Sequence, residues 1–246
     1  MNKKTKAILT GLFLSKYDEE ALKILDFNSF NEAFNVLGIS LSTKPSSIKN
    51  YRDEFDPYFP NKRKGWNKRP MRDNCYKLYN SFKDLDFTKF SDLIKSFFID
   101  NYEIENFILE FQQAKPSHEE SFAKRLLTGK AAEEYFKIEY NKIDVFKSFN
   151  LTDTTLLGCG FDFKLSLISD FYCVEVKGLR EPKGNIQMTE KEFEIAKMMK
   201  SKYCLFIVKN FKEKPVHEYV FDPLNSRLKF KEVKTKIIQT SYSSII

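Results

Sequence analysis

Apolar positions in the first 115 residues recur at helical intervals, with Ala21, Leu22, Ile24 and Leu25 as one group and Ala33, Phe34, Val36 and Leu37 as the next. From about residue 160 the period drops toward two. Phe161, Phe163, Leu165 and Leu167 alternate in GFDFKLSLI, and Val174 and Val176 in FYCVEVKG, which predicts two adjacent strands. Before them, SHEESFAKRLLTGKAAEEYFKIEY predicts a helix bent around Gly129. After them, NIQMTEKEFEIAKMMKSKY predicts a helix capped by Thr189, with Glu192 three residues on. YCLFIVKNF then reads as a buried strand and HEYVFDP as a last one, ended by Pro223. The order α-β-β-α-β-β predicts a mixed sheet flanked by helices, so the fold class is α+β or α/β. A helical domain over 1–115 would precede a sheet domain over 116–246, with AKPSHEE as the linker.

Within the helical part, SFNEAFNVLG places Ser29 three residues before Glu32, a capping box, and Gly38 is the expected stop. Pro45 suits the first turn of a further helix carrying Ile48, Tyr51 or Arg52, and Phe55. Two helices joined by a short turn fit either a helix-turn-helix or an ordinary αα-hairpin. In the first case Ile48 faces inward and Ser46, Ser47, Lys49, Asn50 and Arg52 approach a groove.

Charge adds a partner to this picture. Forty-one Lys and Arg oppose 34 Asp and Glu, a formal charge of +7, which favours polyanions. The densest basic stretch, NKRKGWNKRPMR, holds Lys62, Arg63, Lys64, Lys68, Arg69 and Arg72 without an acid, around the single tryptophan, Trp66. Cations of this kind neutralise phosphates and an aromatic ring packs on sugar or base, so double-stranded DNA is the expected partner. The alternative is a solvated charge run with Trp66 folded back onto the core. The four cysteines (Cys75, Cys159, Cys173, Cys204) form no CxxC pair, and only His118 and His217 could help them hold zinc. Reduced thiols suit a cytoplasmic location. No apolar run approaches a membrane span, since MNKKTKAILTGLFLSKY is interrupted at Thr10 and Gly11. No GxGxxG or Walker loop is present.

The strand pair carries the candidate chemistry. Glu175 and Lys177, two apart on one strand, share a face, and Val174 and Val176 pack on the other. Asp162, at the start of the preceding strand, lies close to Glu175 in an antiparallel hairpin. Like charges that close raise one another's pKa, and a divalent cation relieves the conflict. Mg²⁺ takes one or two carboxylates with water and phosphate oxygens, so Mg²⁺, with Mn²⁺ substituting, is the expected cofactor. A second Glu-Val-Lys, residues 232–234, lies in a lysine-rich tail without the preceding strand or Asp.

Glu133 on its helix, Asp162 in GFD, Glu175 and Lys177 in VEVKG, and Gln187 with Thr189 in NIQMTEKEFEIA resemble the PD-(D/E)xK nuclease superfamily. More narrowly, residues 129–223 look like bacterial nuclease domains related to the NO VEIN C-terminal domain and to Mrr-type restriction enzymes. The Pro of the superfamily's name is replaced by Phe161. The resemblance implies metal binding by Asp162, Glu175 and Glu133, catalysis by Lys177 and support from Gln187. Glu134 is the alternative helix acid. SIKNYRDEFDPYFPNKRKGWNKRP similarly looks like the leading domain of small restriction-endonuclease-like proteins. The activity implied is a Mg²⁺-dependent, restriction-type cut of duplex DNA by a homodimer, with a companion methyltransferase as a further possible partner. A repair or phage-defence nuclease acting on modified or structured nucleic acid, and a catalytically silent DNA-binding protein, are the alternatives.

Overall fold

The computed structural model describes residues 1–98, 119–233 and 244. Its first part holds α1 (Lys3–Ile24), α2 (Phe30–Ser40), α3 (Pro45–Phe55), α4 (Asp73–Phe82) and α5 (Phe87–Ser96). In α1, residues 7–15 are buried all round, as expected of a helix whose sequence AILTGLFLS offers no charged face. The other helices pack around it.

The α2–α3 corner differs in two details from its sequence pattern. Gly38 does not stop α2, which runs on to Ser40; instead it gives room to the next helix, because a Cβ there would lie 2.8 Å from Pro45 Cα. Ser29 does cap α2 by accepting from Glu32 N. The Glu32 carboxylate, however, reaches one residue further back to accept from Asn28 N at 3.0 Å, and also accepts from Arg180 Nη2 at 2.6 Å. A buried carboxylate with a guanidinium across the chain has stronger partners than its own cap.

The second part holds α6 (Glu119–Glu139), α7 (Glu190–Met199) and a five-stranded sheet in the order β1 (Asn150–Asp153), β2 (Phe163–Leu167), β3 (Asp170–Gly178), β4 (Tyr203–Lys209), β5 (Val216–Phe221). The architecture is α+β, with helices first and then a mixed sheet between helices. The pattern had indicated four of these strands. β1, four residues with one half-buried apolar side chain, is too short to show an alternation. Gly129 does not interrupt α6, which continues through it.

β3 and β4 are parallel and the other pairs antiparallel. A parallel neighbour requires a crossover, and α7 supplies it. The two faces of the sheet are covered differently. Phe136 of α6 packs 5.2 Å from Phe163 and 4.8 Å from Phe206, ring to ring, on the face that carries Val174 and Val176. On the other face, Cys173 and Tyr203 are buried with Ala196 of α7.

One continuous apolar cluster runs from Ala7 in α1 through Phe136 to Phe211 after β4. Asn35 of α2 donates to the carbonyls of Phe211 and Glu213, each at 2.9 Å, which pins the β4–β5 turn to the helices. The proposed boundary at 115, the AKPSHEE linker up to residue 118, and the helical pattern YEIENFILEFQQ lie outside the described residues. No helix among the described residues is long and apolar enough to cross a membrane.

Candidate active site

Asp162 immediately precedes β2. The register Phe163↔Val174, continued by one residue, sets Asp162 opposite Glu175. Two contacts fix that approach. Asp162 N donates to Val174 O at 3.0 Å, and Asp162 Oδ2 accepts from Val176 N at 2.8 Å. Just upstream, Gly160 has φ +88°, and a Cβ on it would meet Ile195 Cγ1 of α7 at 2.8 Å. Glycine therefore lets the chain turn under α7 and enter β2 with Asp162 in place. Tyr203 Oη holds the same turn by donating to Gly160 O at 3.1 Å.

Glu175 is 4% exposed, on the α7 face of β3. Lys177, two residues on, lies with its Nζ 2.6 Å from Glu175 Oε1 and 2.7 Å from Glu192 Oε2. Glu192 is the capping-box acid of α7; the same Oε2 also accepts from Thr189 N at 3.0 Å.

Electrostatics bind these groups together. Burial pushes the Asp162 carboxyl up to about 6, against the pull of the Val176 amide and Lys177. Burial, and then the Asp162 charge, hold Glu175 well above the usual carboxylate range. Burial by itself would lower the Lys177 ammonium, but Glu175 and Glu192 outweigh it and raise its pKa. The cluster thus gathers three carboxyl groups, Asp162, Glu175 and Glu192, around one lysine, with burial favouring the protonated form of the first two.

The donor set suits a hard divalent ion. Asp162 and Glu175 supply two carboxylates on one surface, and Mg²⁺ commonly takes no more than that from protein. Among the described residues, no group of three or more His, Cys, Asp or Glu is arranged to hold a metal. Glu133, the expected third ligand, lies on α6, with Lys130 Nζ 3.6 Å from its Oε2. Glu134 accepts from Ser42 Oγ at 2.5 Å and pairs with Lys137 at 2.8 Å, so it joins α6 to the turn after α2. Gln187 is exposed in the irregular stretch before α7. In the second Glu-Val-Lys copy, Glu232 and Val233 lie in irregular chain and Lys234 lies outside the described residues.

The expected DNA-contacting residues divide into two groups. Ser46, Lys49 and Asn50 on α3 are exposed, Ser47 is half-buried, and Lys49 pairs with Asp53 at 2.6 Å. Arg52 is a correction: at 8% exposed it points inward. It stands four residues after Ile48, hence on the same face of the helix as that core residue. Its guanidinium stacks 4.7 Å from Phe30 and 4.8 Å from Phe34 and pairs with Asp53 at 2.6 Å.

The basic loop shows the same division. Arg63 is half-buried and anchored, with Nε donating to Asp56 Oδ2 at 2.9 Å and Nη1 to Asp18. Arg72 donates through Nε to Glu54 at 2.8 Å. Lys62, Lys64, Lys68 and Arg69 are exposed. Trp66 is half-buried and tied by its backbone N to Asp53 O at 2.7 Å. Its ring carries the Arg69 guanidinium 3.5 Å from the centroid. The acids that anchor the loop, Asp53, Glu54 and Asp56, are three buried charges in the run RDEFD.

Residues 132–221 match a family model described as Protein NO VEIN, C-terminal. The match begins inside α6 and ends with β5. It therefore includes Glu133, Asp162, Glu175, Lys177, Gln187 and Glu192, and covers less than half of the chain. No curated protein and no solved structure matches the chain.

Proposed function

We propose that this protein is a metal-dependent endodeoxyribonuclease of the PD-(D/E)xK type, with Asp162 and Glu175 as the metal's carboxylates and Lys177 as the catalytic lysine. The observation that carries the reading is the convergence of these three side chains on one face of the sheet, across the β2–β3 register. The matched NO VEIN C-terminal segment frames that site and supports the reading. Mg²⁺ or Mn²⁺, when bound, would polarise the phosphodiester and lower the pKa of an attacking water.

The chain's own residues set the rest. Asp162 is held against β3 by the Val176 amide, which donates to its Oδ2. Lys177 brings a fixed positive charge to the place where negative charge grows on the phosphate oxygens. Duplex DNA would be held by Lys62, Lys64, Lys68 and Arg69 through its phosphates, with Ser46, Ser47, Lys49 and Asn50 beside them. A homodimer would bring one site to each strand.

The test is a plasmid digest with Mg²⁺, with EDTA, and with Glu175→Ala or Lys177→Ala protein. Cutting by wild type in Mg²⁺ alone supports the reading. Equal cutting by both variants removes these residues from the mechanism.

The inward turn of Arg52 favours one variation on this function. With Arg52 in the core and the exposed cations in a loop, most of the available contacts suit phosphates and few suit base edges. A nuclease acting on modified or structured nucleic acid in repair or phage defence fits that surface. A panel of methylated and unmethylated duplexes, flaps and single strands distinguishes the two, since a fixed-position duplex cut supports restriction.

A further inference from the structure

We infer that Glu192 is the positioning residue for Lys177, an inference that rests on the nuclease reading of the site. The Lys177 ammonium has two carboxylate partners at nearly equal distances, Glu175 at 2.6 Å and Glu192 at 2.7 Å. Of the two, Glu175 is the one that the β2–β3 register sets opposite Asp162, though the Glu192 charge also acts on Asp162. If Glu175 gives its oxygens to a cation, Lys177 loses that partner and meets a repelling charge. A flexible four-carbon side chain would then leave the site unless another group held it.

Glu192 is built to be that group. It sits at the third position of α7, where the capping box fixes its carboxylate by the 3.0 Å bond from Thr189 N. The same Oε2 that caps the helix receives Lys177. The carboxylate is therefore oriented before Lys177 arrives, and its 15% side-chain exposure keeps the bond partly out of water. A capping box needs only a Glu or Gln at this position. Holding an ammonium calls for the charged member of that pair, which is the one present.

Three proteins separate the two duties of Glu192. Glu192→Gln keeps an oxygen for Thr189 N and removes the charge, whereas Thr189→Ala removes its side-chain half of the cap and keeps the charge. The first readout is the rate at which Lys177 is acetylated in metal-free protein that also carries Glu175→Gln, which takes away the competing carboxylate charge as a bound cation would, followed by mass spectrometry. Glu192→Gln is expected to speed labelling of Lys177 several-fold, and Thr189→Ala to leave it near wild type. The second readout is cleavage, where Glu192→Gln is expected to lower kcat by about 10- to 100-fold with KM unchanged.

Unchanged Lys177 labelling in Glu192→Gln overturns the inference, as does a Thr189→Ala protein that matches Glu192→Gln in both readouts, since the residue is then only a cap. The nuclease reading fails separately. If wild type never cuts DNA while Lys177 labelling still responds to Glu192→Gln, the hold on Lys177 stands and the proposed chemistry falls.

Discussion

Asp162 Oδ2 accepts a 2.8 Å hydrogen bond from the backbone N of Val176, the residue between Glu175 and Lys177. That bond docks the end of one strand onto the middle of the charged triplet in the next. It ties the Asp162 carboxylate to the main chain of β3, next to Glu175.

The same docking has a stability cost that depends on pH. Asp162 is raised to about 6 in the folded chain, above its value in the unfolded chain, so the folded state holds the proton more tightly. The favourable contribution is fully present below the unfolded pKa and is lost as pH rises through about 6. Asp162→Asn is expected to stabilise the metal-free protein at pH 8 by up to about 3 kcal/mol and to bring little gain at pH 4. Urea unfolding at the two pH values checks this; an equal effect at both refutes it.

A cation that occupies the carboxylate pair stabilises the fold by mass action. Saturating Mg²⁺ or Mn²⁺, at about 100-fold above its Kd, should add about 2.7 kcal/mol to wild type. Asp162→Asn and Glu175→Gln should abolish that gain. Thermal unfolding with and without each metal gives the answer. An equal rise of Tm in all three proteins would place the ion elsewhere.

Neutralising Lys62, Lys64, Lys68 and Arg69 together should weaken duplex binding and flatten its dependence on salt. Each lost phosphate contact removes about 0.9 from the log–log slope. Fluorescence anisotropy across a salt series measures it. An unchanged slope would make the loop ordinary surface.

Arg52→Ala should act on stability. It removes the guanidinium from the buried acids Asp53 and Asp56 and should cost about 3 kcal/mol in denaturant. Because Arg52 faces the core, a folded Arg52→Ala protein should retain the salt slope of DNA binding. Loss of that slope in a protein of wild-type stability would return Arg52 to the groove.

Arg180 and Glu32 join the β3–α7 stretch to α2 through a largely buried pair. Arg180→Met leaves the Glu32 charge buried and should destabilise the chain by about 3 kcal/mol, with much of this recovered in Arg180→Met/Glu32→Gln. A double-mutant cycle in urea reads the coupling. Additive losses would show that the two residues act independently.

Local pattern alone determined much of this protein. Period and caps gave the helix starts at Ser29, Pro45 and Thr189, four of the five strands, and the shared face of Glu175 and Lys177, because each depends only on neighbours a few residues apart. The hairpin also made the Asp162–Glu175 meeting legible, since antiparallel register over a short turn leaves few choices. Tertiary structure decided the rest. Ile48 and Arg52 share a helix face, yet only the Phe30 and Phe34 rings and the buried Asp56 show why a guanidinium occupies the core. Gly38 reads as a stop until Pro45 is seen against it. Glu192 reads as a cap until β3 brings Lys177 within 2.7 Å. Sequence spacing fixes direction along one element; which side of another element it meets is set by how the two pack.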